Sequence, residues 1–269
     1  MASNHSSKKE NLFCFIHIEK TGGMTIQNML HRDFSGYISP VAMKEHTISG
    51  SELKTKSKIY PLPLQGFGGH SFCLNESYEK DLERDIFKFC FLRNPVSRYL
   101  SQLNYRIQKM KQNWTIDSFL DYSNFNNIQC RRISGEGSFE AVKEIIDQIN
   151  FIGSLEHFDW SVLYLSRKLS GFKPYYQKTN QQNYSKNKLT LHNFNPYQIQ
   201  KLYSNNREDQ KLFNYFEEII LPKQKKKLDF KDSYIENFRI KNKNYKMPKK
   251  FIIKRIISNR FFKHIMKFQ

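Results

Sequence analysis

The sequence predicts an α/β fold with three layers around a central parallel sheet, and two observations carry that expectation. Leu12–Ile18 (LFCFIHI) and Ile86–Leu92 (IFKFCFL) are seven-residue, aromatic-rich, almost uninterrupted apolar runs, the pattern of strands covered on both faces. Each is followed by a short polar loop and then a helical pattern: Glu19–Gly23 before a helix to about His31, and Arg93-Asn94 before a helix opened by Pro95. Strand–loop–helix units in series give parallel sheets, because the crossover returns the chain in its original direction.

The 269 residues suffice for one larger α/β domain or two small ones. A hydrophobic content of 39%, with 23 Phe and 15 Tyr, excludes a wholly disordered chain, because so many rings need burial. No run approaches the ~20 apolar residues of a membrane-spanning helix. Leu12–Ile18 is too short for a secretion signal, and the Glu-Lys-Thr-Gly-Gly after it is not a small-residue cleavage site. The expected location is cytoplasmic, membrane-peripheral at most. Cys14, Cys73, Cys90 and Cys130 form no C-x-x-C pair, and Cys14 and Cys90 sit inside apolar runs, so buried free thiols are expected. The net charge is +19, yet Lys223–Gln269 alone holds sixteen basic and three acidic residues. The chain therefore divides into a loose end (1–11), a folded domain (12–225) and a basic, helical C-terminal tail (226–269).

Between the two strong strands, Asp33–Ser57 shows no clear pattern, Tyr60-Pro-Leu-Pro-Leu is held extended by its prolines, and Gln65–His70 is glycine-rich. Asn75 or Ser77 caps a short helix to about Asp85. The helix from Pro95 carries an apolar stripe at Val96, Leu100, Leu103, Ile107 and Met110. Further helices are expected at 115–122, 138–150, 158–169 and 206–225, with a third strand at Phe151-Ile-Gly-Ser. In the tail, Phe251–Phe268 reads as two short amphipathic helices broken near 258–260. It suits an anionic membrane surface, packing back on the domain, or contact with an acidic glycan.

The first strand–loop–helix unit bears the chemistry. Glu19-Lys20-Thr21-Gly22-Gly23-Met24-Thr25 has glycines that let the backbone approach an anion, a helix N-terminus to receive it, a lysine, and two threonine hydroxyls. It is not a Walker A loop, in which the lysine follows the glycines, and no dinucleotide G-x-G-x-x-G is present. In the second unit Arg93 stands at the carboxyl end of a strand beside another helix start, the edge at which open α/β sheets bind ligands. Arg93 and Ser101 are placed to grip a second phosphate. Arg98 reads as a solvated helix charge, and His17 as a packed histidine supporting the loop. Arg131 and Arg132 pair either with an acceptor anion or with a local glutamate.

These residues bring a family into view. Phe15-Ile-His-Ile-Glu-Lys-Thr-Gly-Gly-Met-Thr resembles the 5′-phosphosulfate loop of carbohydrate sulfotransferases of the heparan sulfate 2-O-/6-O-sulfotransferase-like group. Phe91-Leu-Arg-Asn-Pro-Val-Ser-Arg-Tyr-Leu-Ser resembles that group's 3′-phosphate segment. Asn127-Ile-Gln-Cys-Arg-Arg-Ile-Ser-Gly, Phe151-Ile-Gly-Ser-Leu-Glu-His-Phe-Asp and Asn206-Arg-Glu-Asp-Gln-Lys-Leu-Phe resemble three further motifs of bacterial-type members, in the same order. The resemblance implies a P-loop-like fold and sulfuryl transfer from 3′-phosphoadenosine 5′-phosphosulfate to a hydroxyl of a saccharide or glycolipid, without a metal. It implies that Lys20 neutralises the leaving phosphate, that Thr21, Gly22, Gly23, Met24 and Thr25 hold the 5′-phosphosulfate, and that Arg93 and Ser101 hold the 3′-phosphate. Lys178 and Thr179 resemble the loop that closes over the nucleotide. Met24 departs from the family's Thr or Ser and removes a hydroxyl from the loop.

Gly68-Gly69-His70-Ser71-Phe72 resembles the segment that supplies the group's catalytic histidine, which implies His70 as the base for the acceptor hydroxyl. Imidazole titrates near neutral pH, so the residue type suits the task. Glu76 is the alternative base. Two other functions fit the charge and fold less well. A nucleotide-dependent phosphoryl transferase lacks its Walker A order here. A non-enzymatic protein binding RNA or another polyanion explains +19 but not the ordered motifs, and nucleic acid is not the expected partner.

Overall fold

The computed structural model describes residues 12–40, 47–177 and 188–251, together with 253, 256 and 257. Five parallel strands form the central sheet, in the order β2-β3-β1-β4-β5. They are β1 (Leu12–Ile16), β2 (Tyr37–Ile38), β3 (Gly66–Gly69), β4 (Ile86–Leu92) and β5 (Phe151–Ser154). Between β1 and β2 lies α1 (Gly23–Asp33). Next come α2 (Gly50–Ser57) and α3 (Tyr78–Leu82). After β4 follow α4 (Pro95–Asn104), α5 (Ile116–Asp121), α6 (Ile128–Ser134) and α7 (Phe139–Ile145). After β5 come α8 (Phe158–Lys168), α9 (Pro196–Asn205), α10 (Arg207–Tyr215), α11 (Leu221–Lys227) and α12 (Asp232–Lys243).

Every residue of β1 is buried, which explains its unbroken apolar run: helices cover both faces of a parallel sheet and leave no polar face. The glycine-rich segment becomes a strand despite its poor strand propensity. A side chain at Gly66 would collide with the ring of Phe13, and a Cβ on Gly68 would lie 2.6 Å from the Phe15 carbonyl oxygen. The ring of Phe13 occupies the space that Gly66 leaves open, and Gly68 lets β3 lie close to the backbone of β1. One large core lies against the sheet, and a second, smaller cluster centred on Tyr99, Leu103, Phe119 and Leu202 packs α4, α5 and α9 together.

The topology creates the site. The chain leaves β1 toward β2 and β3 on one side, and leaves β4 toward β5 on the other, so the loops after β1 and β4 diverge. A crevice at the carboxyl ends of strands follows from that reversal.

Several expectations change. The helix from Pro95 is regular only to Asn104, and Tyr105–Lys109 form a π-turn. The wider turn shifts the helical phase and turns Met110, expected on the buried stripe, out to 47% exposure. Arg98 is fully buried rather than solvated. All four cysteines are buried and free. The first part of the basic C-terminal segment packs on the domain: Phe238 of α12 is buried, Arg239 Nε donates to Asp159 Oδ2 at 3.0 Å, and Arg32 donates to the Tyr245 hydroxyl at 3.0 Å. Ile253, Ile256 and Ile257 are exposed, and the helix break expected near 258–260 lies outside the described residues. Among the described residues no helix is long and apolar enough to cross a membrane.

Candidate active site

The turn between β1 and α1 is shaped by two left-handed residues, Lys20 at φ 68° and Gly22 at φ 88°. Gly22 stands at the N-cap of α1 with no side-chain cap, and the first turn carries no acid. Its carbonyl accepts the Thr25 amide at 2.9 Å, leaving the Gly23 and Met24 amides at the open, positive end of the helix. Only glycine fits at position 23, because a Cβ there would overlap the imidazole of His17. Thr21 is buried, and its hydroxyl donates to the Ile18 carbonyl at 3.0 Å. Its one proton thus fastens the turn. Thr25 is half-buried on α1, and Met24 is 41% exposed.

Lys20 and Arg93 meet across the crevice. The Arg93 guanidinium donates to the Lys20 carbonyl at 3.1 Å, and the Lys20 ammonium stands 4.2 Å from the ring centre of Tyr105, in the π-turn after α4. Burial, reinforced by the charges of Arg93 and Lys109, lowers the Lys20 ammonium to about 8. No carboxylate of the described residues lies within ion-pair distance of Lys20. Ser101 is half-buried, about two helical turns beyond Arg93 on α4. Lys178 and Thr179, expected to close over the nucleotide, lie outside the described residues.

Arg93 is held from behind. Its amide donates to Gln129 Oε1, and Gln129 Nε2 donates to its carbonyl, both at 2.9 Å. Gln129 opens α6, where the two carboxylate oxygens of Asp209 accept the amides of Gln129 (3.0 Å) and Cys130 (2.9 Å). Buried Arg98 lies beside that carboxylate, Nε to Oδ2 4.0 Å, and its Nη2 donates to the Phe125 carbonyl at 3.1 Å. Arg98 is therefore part of the scaffold under the site. Sequence reading missed this because the covering elements are distant in the chain. The motifs containing Gln129 and Asp209 were visible, but their purpose of clamping the Arg93 backbone was not.

On the other side of the turn, His70 follows the end of β3. Its Nδ1 is 2.7 Å from the His17 carbonyl oxygen, and its ring stacks on that of His17 with centres 4.1 Å apart. A carbonyl can only accept, so Nδ1 carries a proton, and in the neutral ring the lone pair lies on Nε2. His17 is 7% exposed, and burial, then the neighbouring His70, holds it well below the usual histidine range. It is the packed support that the sequence suggested. Arg132, on α6, donates through Nε to both oxygens of Glu19 at 3.0 Å, and through Nη1 to the His70 carbonyl at 3.3 Å. Of the two pairings open to Arg132, the structure shows the local glutamate.

Geometry of this kind suits transfer of a group from an anionic donor to a neutral nucleophile, because positive charge, helix amides and a lone pair converge on one sheet edge. Residues 6–216 match the model of the sulfotransferase family, and the chain belongs to that family. No curated protein matches it. Among the described residues no group of three or more His, Cys, Asp or Glu is placed to hold a metal ion.

Proposed function

We propose that this sulfotransferase moves a sulfuryl group from 3′-phosphoadenosine 5′-phosphosulfate to a hydroxyl of a saccharide or glycolipid, with Lys20 and His70 as its catalytic residues. One observation carries the assignment: a single turn, residues 17–20, presents on one side an ammonium with no carboxylate of the described residues in ion-pair reach, and on the other anchors an imidazole whose neutral form has its lone pair on Nε2. The residues suit the donor. The open end of α1 and Lys20 match the 5′-phosphosulfate, and Arg93, with Ser101 farther along α4, matches the 3′-phosphate.

In the reaction, His70 Nε2 removes the acceptor's hydroxyl proton as the acceptor oxygen bonds to sulfur. The bridging S–O bond breaks, its electron pair stays on the 5′-phosphate oxygen, and Lys20 compensates that charge. Lys20 suits this role because an ammonium crowded by two cations gains most from a nearby anion. A positioned base contributes about 10²–10⁴-fold. Labelled-sulfate transfer to a panel of glycans tests the proposal. Wild type transfers, while His70→Ala loses that factor and keeps its affinity for 3′-phosphoadenosine 5′-phosphate. Absence of transfer to any hydroxyl compound by the donor-bound wild type would overturn it.

A further inference from the structure

We propose that Glu19 and Arg132 form a positioning pair for His70, in which Glu19 compensates the charge the imidazole gains with a proton and Arg132 fixes and limits that compensation. The proposal deepens the reading of His70 as the base. Its first support is geometric: Glu19 Oε1 lies 3.7 Å from His70 Nδ1. That is too far for a hydrogen bond and near enough for a charge to act. The proton on Nδ1 already goes to the His17 carbonyl, so the carboxylate works on the ring's charge and not on its tautomer.

The second support is the way Glu19 is held. Both its oxygens receive Arg132 Nε, and Oε1 also receives Nη2, so the carboxylate cannot swing toward the imidazole without breaking a paired contact. Burial alone would push the Glu19 carboxyl up, but the charges of His70 and Arg132 together with the Arg132 hydrogen bond hold it below the usual range. Glu19 is an anion at any working pH. The same guanidinium donates to the His70 carbonyl and so ties the base's own backbone to the pair.

The groups facing this cluster are few. His17 stacks on the base and is held neutral, and Lys20 adds its charge to His17 from the same turn. Buried Arg98 is near enough to both Glu19 and Arg132 to feel their charges. Among the described residues Glu19 is the one carboxylate within ion-pair distance of His70, and Arg132 is the cation paired with that carboxylate. The backbone supplies the coupling. Glu19 and Lys20 are consecutive, and the left-handed conformation of Lys20 parts their side chains, one toward the base and one toward Tyr105. A single turn then sets the distance between the proton acceptor and the ammonium facing the donor.

The test is the protonation curve of His70, followed by NMR in free protein, beside the pH profile of kcat/KM. Glu19→Gln removes the anion while keeping the shape. It moves the His70 midpoint and the acidic limb of the profile down by roughly one pH unit, and lowers kcat about tenfold with the donor KM unchanged. Arg132→Met frees the carboxylate to act on the imidazole and moves the midpoint up, and Arg132→Lys, which keeps the charge, restores it toward wild type. Midpoints that stay put in Glu19→Gln and Arg132→Met, or that move in the same direction in both, would overturn the pairing. The NMR curve is independent of turnover, so it fails separately from the assignment of His70 as base, which falls if His70→Ala remains fully active.

Discussion

The two sides of the β1–α1 turn are built on opposite electrostatic plans. On the Lys20 side, positive charge is concentrated: burial and the charges of Arg93 and Lys109 lower the lysine to about 8, and no carboxylate of the described residues lies within ion-pair distance of its ammonium. On the His70 side, charge is matched: Glu19 with Arg132, and a neutral His17 stacked beneath the His70 ring. The difference teaches what each side is for. A half-buried ammonium crowded by other cations is costly without an anion, which is why the Lys20 side suits an anionic ligand. A satisfied set of hydrogen bonds offsets the cost of burying its charges and fixes an orientation. Beneath both lies the Asp209 clamp, which stabilises the scaffold and touches no reacting atom.

That contrast can be broken first at the clamp. Asp209→Asn leaves Arg98 buried without its counter-charge, and a stability loss of about 3–5 kcal/mol is expected, read from the denaturation midpoint. A variant of normal stability would show that the pair is not structural. Lys20→Ala, on the open side, has the reverse signature: transfer falls by about 10²–10³-fold while the denaturation midpoint holds or rises. The open side also carries its own pH dependence. An ammonium lowered to about 8 is charged below that pH and neutral above it, so affinity for 3′-phosphoadenosine 5′-phosphate declines above pH 8, by up to about tenfold per unit. Calorimetry across pH 7–10 checks this, and Lys20→Arg removes the dependence because guanidinium stays charged. The smallest effect is expected at Met24, exposed at the helix end. Met24→Thr returns a hydroxyl to the loop and strengthens nucleotide binding by about two- to tenfold, the value of one added hydrogen bond. Unchanged affinity would mean that the backbone amides already saturate the anion.

Much of this molecule was legible in the chain. The two seven-residue apolar runs gave β1 and β4, and their loops gave Lys20 and Arg93, because local sequence dictates both strand burial and the turn after it. His17 could be assigned as support because a histidine inside an apolar run is closed to solvent. The glycine-rich strand was not legible, since Gly66 answers to the ring of Phe13 and Gly68 to the backbone of Phe15, some fifty residues earlier. The π-turn escaped for a related reason: one extra residue in a helical turn changes phase without changing composition.

What the sequence determined by itself is the α/β class and the identity of the turn that concentrates charge, because period, apolar runs and glycine placement act over a few residues. What only the tertiary structure decided is the pairing of charges. Arg98 and Arg132 look alike in sequence, each a cation on a polar-apolar helix. One is sealed against Asp209 from α10, and the other is fastened to Glu19 from the β1–α1 turn. Coulomb interactions depend on distance in space and on burial, and the sheet order fixes both.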